Sequence, residues 1–134
     1  MEVLLGNLLA LLAVGILMHV FGAGVLGQLT LQLALMHCEQ VTTCDLVPSR
    51  LALAKEMGAI ETLGDKEALK AREGSYDVIY ETSGAPSALA QAIKLAAPGG
   101  RIVVHGTPSQ AYPISNGLIV LKELKMSGSM IYTN

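Results

Sequence analysis

Short apolar runs alternate along this chain with stretches whose apolar residues recur at helical intervals. The runs cover residues 16–21, 40–45, 60–63, 76–81, 101–105 and 124–130, and read as six strands. The third is short and weak, and the fourth is the clearest. Helical patterns fill the gaps at 25–36, 48–57, 66–72, 87–96 and 115–123. The punctuation agrees with these boundaries. Pro48 suits the first turn of a helix, where its missing N–H costs nothing. Gly58 stops that helix. Gly74 and Ser75 make the turn into the fourth strand, Pro98-Gly99-Gly100 breaks the chain before the fifth, and Ser115 is a plausible helix cap. In the first helix Val25, Leu29, Leu33 and Met36 share one face, with Gln28 and Gln32 on another, the arrangement expected of a helix lying on a core.

Strands that are apolar on both faces, each followed by a helix, mean a parallel sheet covered on both sides. Its crossovers should be right-handed. Six strands with a glycine turn after the first predict an α/β, doubly wound, six-stranded parallel sheet of order 3-2-1-4-5-6, the Rossmann plan. With 134 residues the chain is one domain spanning 1–134, without repeats, low-complexity tracts or linkers. Residues 3–21 are nearly all apolar and long enough to imitate a membrane span. Asn7, Gly15 and His19 interrupt them, no basic flank precedes them, and they run directly into a glycine turn. They are expected to form two buried elements, a leading helix at 3–13 and the first strand, with no membrane contact.

Charge narrows the possibilities further. Nine basic and eleven acidic side chains give a net charge of −2, with Lys and Arg scattered singly. That leaves no electrostatic footprint for nucleic acid. Cys38 and Cys44 form neither a C-x-x-C nor a Cys/His cluster, so no zinc site is expected from this chain alone. Two thiols without a disulfide framework fit the cytoplasm.

The chemistry concentrates in Gly22-Ala23-Gly24-Val25-Leu26-Gly27, a G-x-G-x-x-G between the first strand and the first helix. Gly22 permits the tight turn, Gly24 lets a pyrophosphate approach the backbone, and Gly27 lets the helix lie close. Val25 and Leu26 lie in the helix's first turn, whose free N–H groups favour an anion. Asp45 follows Gly27 at about the spacing expected of a ribose-binding carboxylate. Such a group favours NAD over NADP, although Arg50 stands near enough to accommodate a 2′-phosphate. Two further loops should line the same crevice. Thr82, Ser83 and Gly84 follow the fourth strand, and His105, Gly106 and Thr107 follow the fifth. Glycines at strand ends admit a ligand closely. His19 is expected to be structural, Cys44 a small buried residue, and Glu81 a group whose partner the sequence does not reveal. No catalytic residue and no metal ligand is assigned.

With these motifs in place, the chain resembles the coenzyme-binding domain of the medium-chain, zinc-type alcohol dehydrogenase superfamily, nearest its polyol and threonine dehydrogenase branches. The resemblance runs over about residues 20–133. It rests on the glycine turn, on Asp45 followed by Ser49-Arg50-Leu51-Ala52-Leu53-Ala54-Lys55, and on Tyr76-Asp77-Val78-Ile79-Tyr80-Glu81-Thr82-Ser83-Gly84. Pro98-Gly99-Gly100-Arg101-Ile102-Val103 and Leu121-Lys122-Glu123-Leu124 complete it. It implies the NAD(H)-binding part of an alcohol-oxidising enzyme whose separate substrate domain, absent here, supplies most zinc ligands and the proton relay. Glu2 stands near where the polyol branch carries a glutamate by its zinc, but Val3 replaces the usual proline and no metal is assigned to it. Cofactor binding without useful turnover is the expectation for this chain alone. The resemblance also implies a homodimer joined through the edge strand at 124–130. Two other functions stay open: a non-catalytic NAD-binding sensor or scaffold, and a methyltransferase-like domain for S-adenosylmethionine, whose sheet would end in an antiparallel strand.

Overall fold

Apolar side chains on both faces of the strands leave the chain one arrangement, a sheet sandwiched between helices. In the computed structural model, which describes residues 15–130, six strands form one sheet. They are β1 (Met18–Phe21), β2 (Val41–Cys44), β3 (Glu61–Leu63), β4 (Tyr76–Glu81), β5 (Ala96–Val104) and β6 (Lys125–Gly128). Their order is β3-β2-β1-β4-β5-β6, and every pairing is parallel. The parallel β6 departs from the antiparallel last strand of a methyltransferase-like sheet. The helices are α1 (Val25–Leu35), α2 (Pro48–Glu56), α3 (Lys66–Lys70), α4 (Ala88–Leu95) and α5 (Asn116–Leu121). The leading helix expected at 3–13 lies outside the described residues.

Two apolar layers cover the sheet. On one face Ile79, Ile102 and Tyr76 pack with Ala88, Ala92, Ile93 and Leu95 of α4. On the other, Val20 and Val41 pack with Leu31 and Ala34 of α1 and Ala54 of α2. Local chemistry agrees with these placements. Pro48 opens α2. The Asp65 carboxylate accepts from the Ala68 N–H at the start of α3, and the Ser115 hydroxyl accepts from the Leu118 N–H at the start of α5. Lys122 closes α4 from outside: its ammonium donates to the carbonyls of Ile93, Lys94 and Ala96 at 2.8–3.0 Å.

Two expectations fail. The apolar stripe of α1 does not face the core: Val25 is 83% exposed, and Leu29, Leu33 and Met36 are exposed with it. Gly27, Gln28, Leu31 and Ala34 are buried instead. The cause is the start of the helix, which sits tightly on the glycine turn with Gly27 inward. Gln28 follows it in, and its amide donates to the carbonyls of Ala23 at 3.1 Å and Arg50 at 2.9 Å. Nor does Pro98-Gly99-Gly100 end an element before β5. Ala96 already pairs with Tyr76, and pairing resumes at Arg101 with Val78, so the three residues bow out of a strand that continues. Gly99 adopts φ +74°, and its N–H donates to the Lys122 carbonyl.

His19 lies wholly inside, as a structural residue should. Its Nδ1 is 2.6 Å from the Thr42 hydroxyl, its Nε2 3.3 Å from the Cys44 sulfur, and its ring centroid 4.6 Å from that of Tyr76. Burial holds the imidazole neutral, with its pKa lowered to about 3, and pushes the Cys44 thiol up to about 12. The unfolded chain protonates this histidine near pH 6.5, the folded one near 3. Stability from this group is therefore complete above pH 6.5 and lost as pH falls through that window. The loss is on the order of 4 kcal/mol by pH 3. Urea unfolding across this range should show that slope, and a His19→Gln variant should flatten it; an unchanged slope in the variant would refute the assignment.

Candidate functional site

The sheet reverses its winding between β1 and β4, and the loops at their carboxyl ends part there. In open α/β sheets this opening is where ligands bind. Gly22 leaves β1 at φ +100°, a conformation that side chains other than glycine's rarely allow. A Cβ there would also press on Ser83 at 3.0 Å. Gly27 faces the same turn from α1, where a Cβ would run into the Gly22 carbonyl and lie 3.0 Å from the Thr82 hydroxyl. Gly24 differs from both: among the described residues a Cβ there meets nothing within 4 Å. Its bareness answers no packing need of those residues and leaves open space among them at the head of a helix. That helix start has neither a capping side chain nor an acidic residue in its first turn. The N–H groups of Val25, Leu26 and Gly27 thus have no intrahelical acceptor, and an anion is the natural partner for them.

Asp45 follows β2 and faces the glycine turn. Its carboxylate accepts from the Ala23 N–H at 2.9 Å and the Val47 N–H at 2.8 Å, and Arg50 Nη1 lies 3.6 Å away. A carboxylate offers about four acceptor positions, so two such bonds leave capacity for ligand hydroxyls. Beside it opens a cleft of about 400 Å³ between the ends of β1, β2 and β3 and the start of α4. Gly22, Asp45, Arg50 and Ser83 line it. Leu63, Gly64, Lys66, Ala85 and Gln91 line it too, and none of these was singled out in the sequence. They carry no motif and meet only because β3 ends and α4 begins beside the same opening.

The other residues expected after β4 and β5, Thr82, Gly84, His105, Gly106 and Thr107, do not line this cleft and have structural contacts of their own. The Thr82 hydroxyl donates to the Phe21 carbonyl at 3.0 Å, bolting β4 to β1 beneath the turn. The Ser83 hydroxyl donates to the Glu81 carboxylate at 2.6 Å and accepts from the Ala85 N–H. Gly84 adopts φ +65° and packs against the backbone of Thr107, while Gly106 lies against Gly84 and Glu81. The His105 N–H donates to the Glu81 carbonyl, and its ring lies 6.1 Å from that of Tyr80. Among the described residues no three His, Cys, Asp or Glu side chains gather in a group that could hold a metal ion. No helix of the described residues is long and apolar enough to cross a membrane.

Known proteins share this arrangement. Galactitol 1-phosphate 5-dehydrogenase of Escherichia coli K12 is 31% identical over 121 residues, covering 82% of this chain and 35% of that protein. L-threonine 3-dehydrogenase of Bacillus subtilis is 36% identical over 119 residues, covering 81% and 34%. Among solved structures, a zinc-binding dehydrogenase of Sinorhizobium meliloti bound to NADP superposes with a TM-score of 0.78 at 28% identity, covering 86% of this chain and 37% of that one. The chain spans about a third of the length of these relatives. The family described as zinc-binding dehydrogenase matches residues 25–134. From these matches, the chain belongs to the zinc-binding dehydrogenase family.

Proposed function

We propose that this chain is the part of an alcohol- or polyol-oxidising enzyme that holds the dinucleotide cofactor, and that the cofactor is NAD(H). One observation carries the reading: an uncapped helix start at a glycine with open space beside it, next to a carboxylate and a cleft of about 400 Å³. The bare backbone at Gly24 and the N–H groups of Val25, Leu26 and Gly27 receive the diphosphate. Asp45 accepts the hydroxyls of the adenosine ribose, and the cleft between Leu63 and Gln91 takes the adenine. Ser83, Gly84, His105, Gly106 and Thr107 flank the other half. The cofactor supplies hydride transfer; the protein orients it and excludes water around it. Relatives named for polyol and threonine oxidation support this reaction class. The two free thiols, both buried, suit a reducing cytoplasm.

Asp45 supports NAD because a second negative group at the ribose would face its carboxylate. Arg50 and Lys66 bring positive charge to the same cleft, and one relative was solved bound to NADP. Titration should give NADH binding about tenfold or more tighter than NADPH. Comparable or tighter NADPH binding would reverse the preference.

The two glycines of the turn separate folding from binding. Gly24→Ala adds a methyl where only ligand would meet it, and should change stability by about 1 kcal/mol at most. It should weaken NADH about tenfold or more by standing in the diphosphate's path. Gly27→Ala pushes a methyl into the Gly22 carbonyl and should cost about 1–3 kcal/mol of stability. Urea denaturation beside calorimetric titration checks both. Normal affinity in Gly24→Ala would rule out a diphosphate at this turn.

The β6 edge supports a homodimer. Lys125, Ser127 and Gly128 are exposed on a strand that pairs on one side only among the described residues, and a second copy related by a two-fold axis would pair the other. Sedimentation velocity should report a dimer; a monomer at every concentration would end this part of the proposal.

A further inference from the structure

Glu81 ends β4 with a side chain only 2% exposed. A buried carboxylate needs partners, and among the described residues no cation pairs with it. Its partners are the next loop. Oε1 accepts from the Ser83 N–H at 2.8 Å, the Ser83 hydroxyl at 2.6 Å and the Gly84 N–H at 3.1 Å. The carbonyl of the same residue accepts from the N–H groups of His105 at 2.8 Å and Gly106 at 3.0 Å. Two loops from two strands thus hang on one residue.

The glycines around it fit that junction closely. A Cβ on Gly106 would collide with Glu81 Oε2 and with the Gly84 N, and a Cβ on Gly84 would lie 3.0 Å from the Thr107 carbonyl oxygen. The loops therefore touch backbone to backbone with the carboxylate between them. This is an odd use of a charged group if stability were all that mattered, because a buried charge is seldom more stabilising than an apolar side chain of the same size. Its distinctive property is that it can take several N–H and O–H donors at once and set their directions. Ser83, the residue it grips most closely, lines the cleft.

We propose that Glu81 is the positioning residue of the cofactor cleft, fixing the Ser83–Gly84 turn and the Gly106–Thr107 turn as one wall against which the dinucleotide lies. The proposal rests on the dinucleotide-binding reading. Glu81 touches no cofactor atom itself; it acts through the two turns. Removing its carboxylate leaves the Ser83 and Gly84 N–H groups without an acceptor and takes away the group packed against Gly106, while the Glu81 carbonyl still holds the His105 and Gly106 N–H groups, so the wall loses one of its two ties and can move. Crowding the junction from the other side, with the carboxylate kept, has the same consequence.

The test compares the full chain with its Glu81→Gln, Glu81→Ala and Gly106→Ala variants by NADH titration and by backbone hydrogen exchange. Glu81→Ala and Gly106→Ala should each weaken NADH about tenfold or more, and Glu81→Gln, which keeps a neutral acceptor, by about two- to fivefold. The Ser83 and Gly84 amides should exchange about tenfold faster in Glu81→Ala, while those of Thr42 and Thr43 in β2 keep their rates. Folded variants that bind within twofold of the parent overturn the proposal even if their melting points fall, since that is a role in stability alone. Should Glu81→Ala fail to fold, the Glu81→Gln and Gly106→Ala affinities decide in the same way. A parent chain that binds neither NADH nor NADPH instead overturns the dinucleotide reading. Exchange at Ser83 and Gly84 then decides whether the carboxylate holds the turn: unchanged rates in Glu81→Gln refute it, and faster rates support it.

Discussion

The contact of Gly27 with the Gly22 carbonyl governs the rest of this structure. A helix that approaches the preceding turn so closely can do so only without a side chain at that position. The approach sets the direction of α1 and brings its first N–H groups to the switch between β1 and β4. It also turns Gln28 inward, so that one amide ties the glycine turn to α2 through the carbonyls of Ala23 and Arg50. Thr82 completes the fit from the other side by bonding the Phe21 carbonyl. The exposure of Val25, Leu29, Leu33 and Met36 follows from the same contact, because the helix cannot rotate them inward without driving another residue into the turn.

Polar groups in the interior divide into two kinds. His19, Thr42 and Cys44 satisfy one another across β1 and β2, buried within the sheet. Burial holds that imidazole neutral and that thiol protonated, which makes the group inert over the ordinary pH range. Asp45 and Glu81 instead stand at strand ends and turn their carboxylates to the backbone N–H groups of loops around the cleft. Bonds of this kind are directional as well as strong, so they give shape to loops that have little apolar surface to order them.

Much of this was readable beforehand. The strand order, the parallel sense and the positions of β4 and α2 follow from alternating element types, apolar runs and Pro48. The three turn glycines were assigned distinct roles from spacing, and those of Gly22 and Gly27 match what a Cβ would strike. The continuation of β5 through Pro98-Gly99-Gly100 was not readable, because glycine and proline mark a bend without stating whether the strand resumes pairing beyond it. Nor was the pairing of Lys122 with the end of α4, three carbonyls that meet only when α5 packs beside it.

By itself the sequence determined what is local or periodic: where elements start, that they alternate, and that a side-chain-free turn precedes a helix with a carboxylate one strand later. These are properties of neighbours along the chain, and their physics acts over a few residues. Tertiary structure alone decided which face of α1 is buried, how Glu81 is satisfied, and that Leu63, Lys66 and Gln91 share a cleft with Asp45. Such facts depend on groups far apart in sequence whose meeting is set by packing, and packing is a property of the whole fold.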